Sequence, residues 1–163
     1  MQISKLNVNN KIPESTKVLS VKEKNSNDIQ AKLHLTSNEK YIEIKQLCSV
    51  GNNITEYIIS YINGKHLKMR PHAPLDYYAS IYQRIIEDCD LDPYKMHYSQ
   101  ICKAIVVEDS QILNYFNCDQ KSKLFIRNKK TTFLPTSHTE GLEYSITYKD
   151  PLYWGVKIES INS

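Results

Sequence analysis

With 163 residues, 40% of them hydrophobic and 24% charged, the chain has the size and balance of one soluble globular domain that can bury a core without disulfide staples. A formal net charge of +3 is too small to imply nucleic acid by itself. No apolar run is long enough to cross a membrane, and four glycines are too few for Gly-rich phosphate loops or a barrel of many tight turns.

The first residues, MQISKLNVNNKIPESTK, are polar and lack an apolar h-region, which excludes a Sec-type signal peptide. Residues 1–16 read as a flexible polar tail, and 17–163 as a single domain. Residues 17–24 alternate as a strand does. Residues 29–36 alternate better, with Ala31, Leu33 and Leu35 on one side and Lys32, His34 and Thr36 on the other, which predicts a second strand. Tyr41 to Lys45 resume a strand rich in β-formers. Gly51-Asn52-Asn53 breaks the chain, and Asn63-Gly64 between 54–61 and 66–70 predicts a hairpin.

The strongest periodic signal is PLDYYASIYQRIIEDCD, residues 74–90. Leu75, Tyr78, Ala79, Tyr82, Ile85, Ile86 and Cys89 recur at helical spacing, so one amphipathic helix is expected, with Tyr78, Tyr82 and Ile85 buried. Asp92-Pro93 predicts the start of a second helix carrying Tyr94, Tyr98, Ile101, Cys102 and Ile105 as its apolar stripe, and Asp109-Ser110 a short third one. Strands are expected again over 123–127, 131–134, 142–148 and 154–161. Strands, then helices, then strands, without βαβ alternation, predict a single α+β domain whose antiparallel sheet packs on a central two- to three-helix segment.

Four groups of residues could carry chemistry. His34-Leu35-Thr36 and His97-Tyr98-Ser99 resemble the paired HxT/HxS triplets of two-histidine phosphoesterases. That resemblance implies two imidazoles passing protons and Thr36 and Ser99 holding a phosphate, with both triplets on strands. The helix expected around His97 conflicts with it. Cys48, Cys89, Cys102 and Cys118 are widely spaced without CxxC, which argues for unpaired thiols in a reducing, cytoplasmic compartment and against a metal site. Cys89 and Cys102 read as buried small hydrophobes, and Cys48 is the candidate for a Cys/His hydrolase. Lys121, Lys123, Arg127, Lys129 and Lys130, with Phe125 and Phe133 nearby, suit single-stranded nucleic acid or an anionic lipid. The preferred reading makes them a solvated strand edge. His66, His72 and His138 are loop or turn residues, of which His138, in PTSHTEG, is the best placed for function.

The leading expectation is a macromolecule-binding domain with a protein partner and no cofactor. Tyrosine content supports it, since rigid rings with a polar tip are enriched at interfaces. The short polar N-terminus resembles the uncleaved export segments of bacterial effectors, which implies delivery into a host cell. The alternative is an enzyme, a phosphoesterase or a Cys/His hydrolase. The two differ in whether His34, Thr36, His97, Ser99, Cys48 and His138 meet in one cleft.

Overall fold

The computed structural model describes residues 14–137 and 139–155. Six strands run over β1 (Glu14–Lys24), β2 (Tyr41–Val50), β3 (Asn53–Asn63), β4 (Tyr98–Val107), β5 (Lys123–Phe133) and β6 (Gly141–Lys149). They form one antiparallel sheet in the order β1-β2-β3-β6-β5-β4. Three helices, α1 (Asn27–Leu33), α2 (Ile81–Cys89) and α3 (Ser110–Tyr115), complete the single α+β domain. The expected fold class is therefore the one observed. β1 begins at Glu14, inside the stretch read as a tail.

The two faces of the sheet carry different layers. On one face, Ile81 and Ile85 of α2 pack on Ile42 and Ile44 of β2 and Ile62 of β3. A bulge between Val18 and Ser20 lets Val18 and Val21, three residues apart, both reach that core. On the other face, Leu33 of α1 packs on Tyr41 and Tyr144, and Leu113 of α3 packs on Val107 and Phe125.

Several local expectations are corrected. Residues 29–36 do not form a strand. Ser26 stands just before α1 with its hydroxyl bonded to that of Tyr41, Asp28 lies in the first turn, and Ile29 and Leu33, one helical turn apart, meet the same cluster. Buried Gln30 donates from Nε2 to the carbonyls of Ser37 and Glu39, closing the turn that follows. The apparent alternation came from Leu35, which lies beyond the helix.

The stretch 92–107 is not a helix either. Asp92 caps only a short 3₁₀ turn (Pro93–Lys95), accepting the Tyr94 N–H at 3.1 Å, and β4 follows. Its apolar residues satisfied both periods, and pairing with β5 decided for the strand. The hairpin at Asn63-Gly64 is likewise absent: β3 ends at Asn63, and residues 66–70 form a loop anchored by buried Leu67. The β2–β3 hairpin turns instead at Gly51, whose φ of 58° is left-handed. Gly64 is needed for closeness. A Cβ there would lie 2.6 Å from the Lys40 carbonyl oxygen. Gly64→Ala should therefore destabilise the fold by about 1–3 kcal/mol, read as a lower urea midpoint at an unchanged slope.

The segment 74–90 is a 3₁₀ turn (Leu75–Tyr78) followed by α2, with a break at Ala79-Ser80. In a continuous helix the carbonyls of Tyr78 and Ala79 would accept from residues 82 and 83. Here buried Gln46 of β2 takes both through Nε2, at 3.2 and 3.0 Å. Burial follows the expectation nonetheless: Tyr78 and Ile85 are buried and Tyr82 is largely so. Tyr77 is held between the guanidinium groups of Arg70 and Arg84, and Arg70 also pairs with Asp88 at 3.1 Å. These contacts fasten the preceding loop to α2. The strand expected over 154–161 is not present at Trp154 and Gly155, and its remainder lies outside the described residues.

Candidate ligand pocket

Between the sheet and the start of α2 lies a pocket of about 370 Å³. Its floor is built by register. Residues 58 and 60 of β3, 145 and 147 of β6, and 128 and 130 of β5 are cross-strand neighbours, and their side chains point to the α2 face. The result is a floor of Ser60, Ser145, Thr147, Asn128 and Lys130, with Gln46 at one side and Glu143 at the end. The same face is apolar one rung away, where Ile42 and Ile62 pack under α2. Gln46 and Glu143 already have hydrogen-bond partners in the Tyr78 and Ala79 carbonyls and the Tyr82 hydroxyl, and the polar side chains together form the cavity surface.

The walls are the Ala79-Ser80 break, Ile81, Tyr82 and Tyr94. The break aims the N-terminus of α2 at the cavity. Its first N–H groups have no partner within the helix, and the Ser80 side chain does not cap them. Tyr94 packs edge-on against Tyr82 with ring centroids 5.0 Å apart and is 75% exposed, which places it at the rim of the pocket.

Glu143 is the most unusual group here. It is buried, and the Tyr82 hydroxyl donates to its Oε1 at 2.7 Å. Burial pushes its carboxyl above the ordinary value, and the hydrogen bonds from Tyr82 and Ser60 and the charge of Lys130 only partly oppose this. Burial and the adjoining carboxylate also push the Tyr82 phenol up, so it stays a donor. Lys130 sits over the Tyr98 ring at 4.4 Å. Hydroxyls, amides, one ammonium and a carboxyl thus share one cavity with the positive end of a helix.

The residues singled out from the sequence are dispersed. His34 is the left-handed cap of α1 (φ 53°) and is exposed, as is Thr36, whose N–H donates to Glu39. His97 is exposed before β4, its carbonyl accepting from Phe133, and Ser99 lies on β4. The two triplets do not form the pair of strand-borne His-x-hydroxyl units that a phosphoesterase requires, and neither lines the pocket. Cys48 has Thr16 and Glu56 as its cross-strand partners, and it does not line the pocket.

None of the four cysteines forms a disulfide. Cys102 is exposed on β4 and donates to Asn128, and Cys89 is only half-buried, so neither is the fully buried hydrophobe expected. His66 and His72 lie in the loop before α2, and His138 lies outside the described residues.

The basic segment does not line an edge. β5 is an inner strand between β4 and β6. Lys130 enters the pocket, Lys123 pairs with Asp150 at 3.6 Å, Lys121 lies beside α3, and Arg127 and Lys129 turn to the opposite face. Of the pocket, the sequence reading had included Lys130 alone. Of the others, Ile58, Ser60, Glu143, Ser145 and Thr147 lie on stretches read as strands and Ala79 to Tyr82 and Tyr94 on stretches read as helices, and the legible clue was the alternation of Glu143, Ser145 and Thr147 with Tyr144 and Ile146. Among the described residues no helix is long and apolar enough to cross a membrane, and no group of His, Cys, Asp or Glu is arranged to hold a metal ion.

No protein-family model matches the sequence, and comparison with curated proteins finds no relative. Solved structures do match. The ligand-binding domain of a GntR-family transcriptional regulator from Bordetella bronchiseptica superposes with a TM-score of 0.74 at 12% identity, over 92% of this chain and 91% of that one. The C-terminal domain of YurK from Bacillus subtilis gives 0.68 at 15% identity, over 88% and 94%. The regulator YydK from Bacillus subtilis gives 0.75 at 12% identity over 93% of this chain, which spans 63% of YydK. These likenesses overturn the reading of the chain as a protein-binding effector delivered into a host, and with it the phosphoesterase and hydrolase alternatives: the fold is that of domains from transcriptional regulators. The chain shares its fold with the ligand-binding domains of GntR-family regulators.

Proposed function

We propose that this chain is a ligand-sensing domain that takes up a small polar metabolite in the pocket between the sheet and α2, as part of a cytoplasmic transcriptional regulator. The observation that carries the proposal is the polar floor. Ser60, Ser145, Thr147, Gln46 and Glu143 are all buried on the face that otherwise forms the apolar core. A pocket that binds by area would be lined with aliphatic groups, whereas this one offers hydrogen bonds in several directions. Hydroxyl-bearing ligands suit the serine, threonine and amide groups. A negative group on the ligand suits Lys130 and the open N–H groups of α2.

Thermal-shift screening of the chain against sugars, sugar acids, sugar phosphates and amino acids, followed by calorimetry on the hits, tests this. We expect a saturable one-to-one ligand that raises the melting temperature. Ser145→Ala and Lys130→Gln should each weaken it by about tenfold or more, the consequence of removing one hydrogen bond or one charge from a desolvated site. Tyr94→Ala should raise the off-rate with little effect on the melting temperature of the free protein. A ligand whose affinity ignores Ser145, Lys130 and Tyr94 together would place the site elsewhere.

A further inference from the structure

The face opposite the pocket carries a second cluster of charge. Arg127 of β5 is the direct cross-strand partner of Lys103 on β4, and Lys129 follows two residues later on the same face. Lys32 of α1 reaches over the adjoining Tyr144 ring, 5.9 Å from its centroid. Lys129 is held below the ordinary lysine value by burial and then by the charges of Arg127, Lys32 and Lys103, so the four cations share one neighbourhood.

None of the four forms a salt bridge among the described residues. Other cations on this face do: Lys45 and Lys24 pair with Glu43, and Lys123 with Asp150. Like charges directly opposite on neighbouring strands destabilise a sheet, so the fold carries a repulsion here that it neutralises elsewhere. The half-buried ring of Tyr148 and side chain of Ile146, the cross-strand partners of Arg127 and Lys129, lie next to the cluster and lower the local dielectric.

We propose that Lys32, Lys103, Arg127 and Lys129 form a second binding site, for a small anion bearing two or more linked phosphate groups. Compactness decides the class. Cross-strand partners lie about 5 Å apart and same-face neighbours along a strand about 7 Å apart. Four charges gathered in so small a space match one polyphosphate group, whereas a nucleic-acid strand calls for charges set out in a row along its backbone. Arg127 offers a planar fork of donors for phosphate oxygens, and the three lysines add point charges around it. The site is independent of the pocket, yet it uses the same two strands: Lys129 alternates with Lys130, and Tyr144 and Ile146 with Glu143 and Ser145.

Calorimetric titration of the chain with sodium tripolyphosphate, orthophosphate and a single-stranded oligonucleotide tests this. Tripolyphosphate should bind saturably at one site and weaken as salt rises, with orthophosphate about tenfold weaker or worse. The double variant Arg127→Gln/Lys129→Gln should lose tripolyphosphate binding by at least about tenfold. A control pair on the exposed edge strand β1, Lys17→Gln/Lys22→Gln, should keep it. Lys103→Gln, at an exposed position of β4, removes one of the four charges without disturbing packing and should weaken binding measurably. Absence of saturable binding, an equal loss in the control pair, or tighter binding of the oligonucleotide would overturn the proposal.

Discussion

Replacing Ile85 with alanine should lower the stability of the chain by about 2–5 kcal/mol, the range for deleting a large aliphatic side chain from a packed core. Ile85 is fully buried and belongs to the cluster that joins α2 to Ile42, Ile44 and Ile62. Removing its branched end leaves a cavity under the helix that forms one wall of the pocket. Ser80 and Tyr82 sit at the start of the same helix, so relaxation into that cavity should also shift them. Chemical denaturation reads the loss of stability, and ligand affinity reads the shift. Leu75→Ala is the contrast. Leu75 is 47% exposed, and its loss should fall within about 0.5 kcal/mol of wild type. Equal effects at the two positions would mean that α2 is not packed as described.

The second large effect concerns Glu143. Its carboxyl is raised above the ordinary value of 4.5 by burial in the folded chain. A group raised in this way favours the fold below the ordinary value, and that contribution is lost as pH rises through the folded-state value. Wild type should therefore lose stability from this residue between mildly acid and higher pH. Glu143→Gln keeps the shape, can still accept from Tyr82, and removes the ionisation. The variant should melt higher than wild type at neutral pH, by a margin that vanishes below the ordinary carboxylate value. Glutamine cannot take on the charge whose burial raises this carboxyl, which is why the margin should grow as pH rises. Glu39 has the opposite sense, because its hydrogen bond with Lys65 lowers its carboxyl. It is common to both proteins and cancels in the difference. A margin that is constant with pH would show that Glu143 does not change ionisation on folding.

The fold class, the antiparallel sheet and the short third helix were legible because their signals are local and redundant. Asp109 caps α3 by accepting from Gln111 and Ile112, as its place before Ser110 suggested. Ile85 and Tyr78 were legible as core because a helix and a 3₁₀ turn both bring those spacings to one side. The stretch 29–36 was misread because Ala31, Leu33 and Leu35 alternate by coincidence, while the packing of Ile29 and Leu33 on Tyr41 and Tyr144 follows the helical spacing. The basic segment was misread because sequence nearness implies one surface only in a loop. On a strand, consecutive residues point to opposite faces, so Lys129 and Lys130 ended in different sites.

By itself the sequence determined a single α+β domain with an antiparallel sheet and the core positions Tyr78 and Ile85. The tertiary structure decided the pocket and the charge cluster. Both depend on register between strands far apart in the chain: Gln46 on β2, Ser60 on β3, Glu143 on β6 and Lys130 on β5 become neighbours only when the sheet order β1-β2-β3-β6-β5-β4 is formed. Hydrophobic periodicity records which face a residue takes. It carries no record of which strand will lie beside it, because pairing is set by long-range packing.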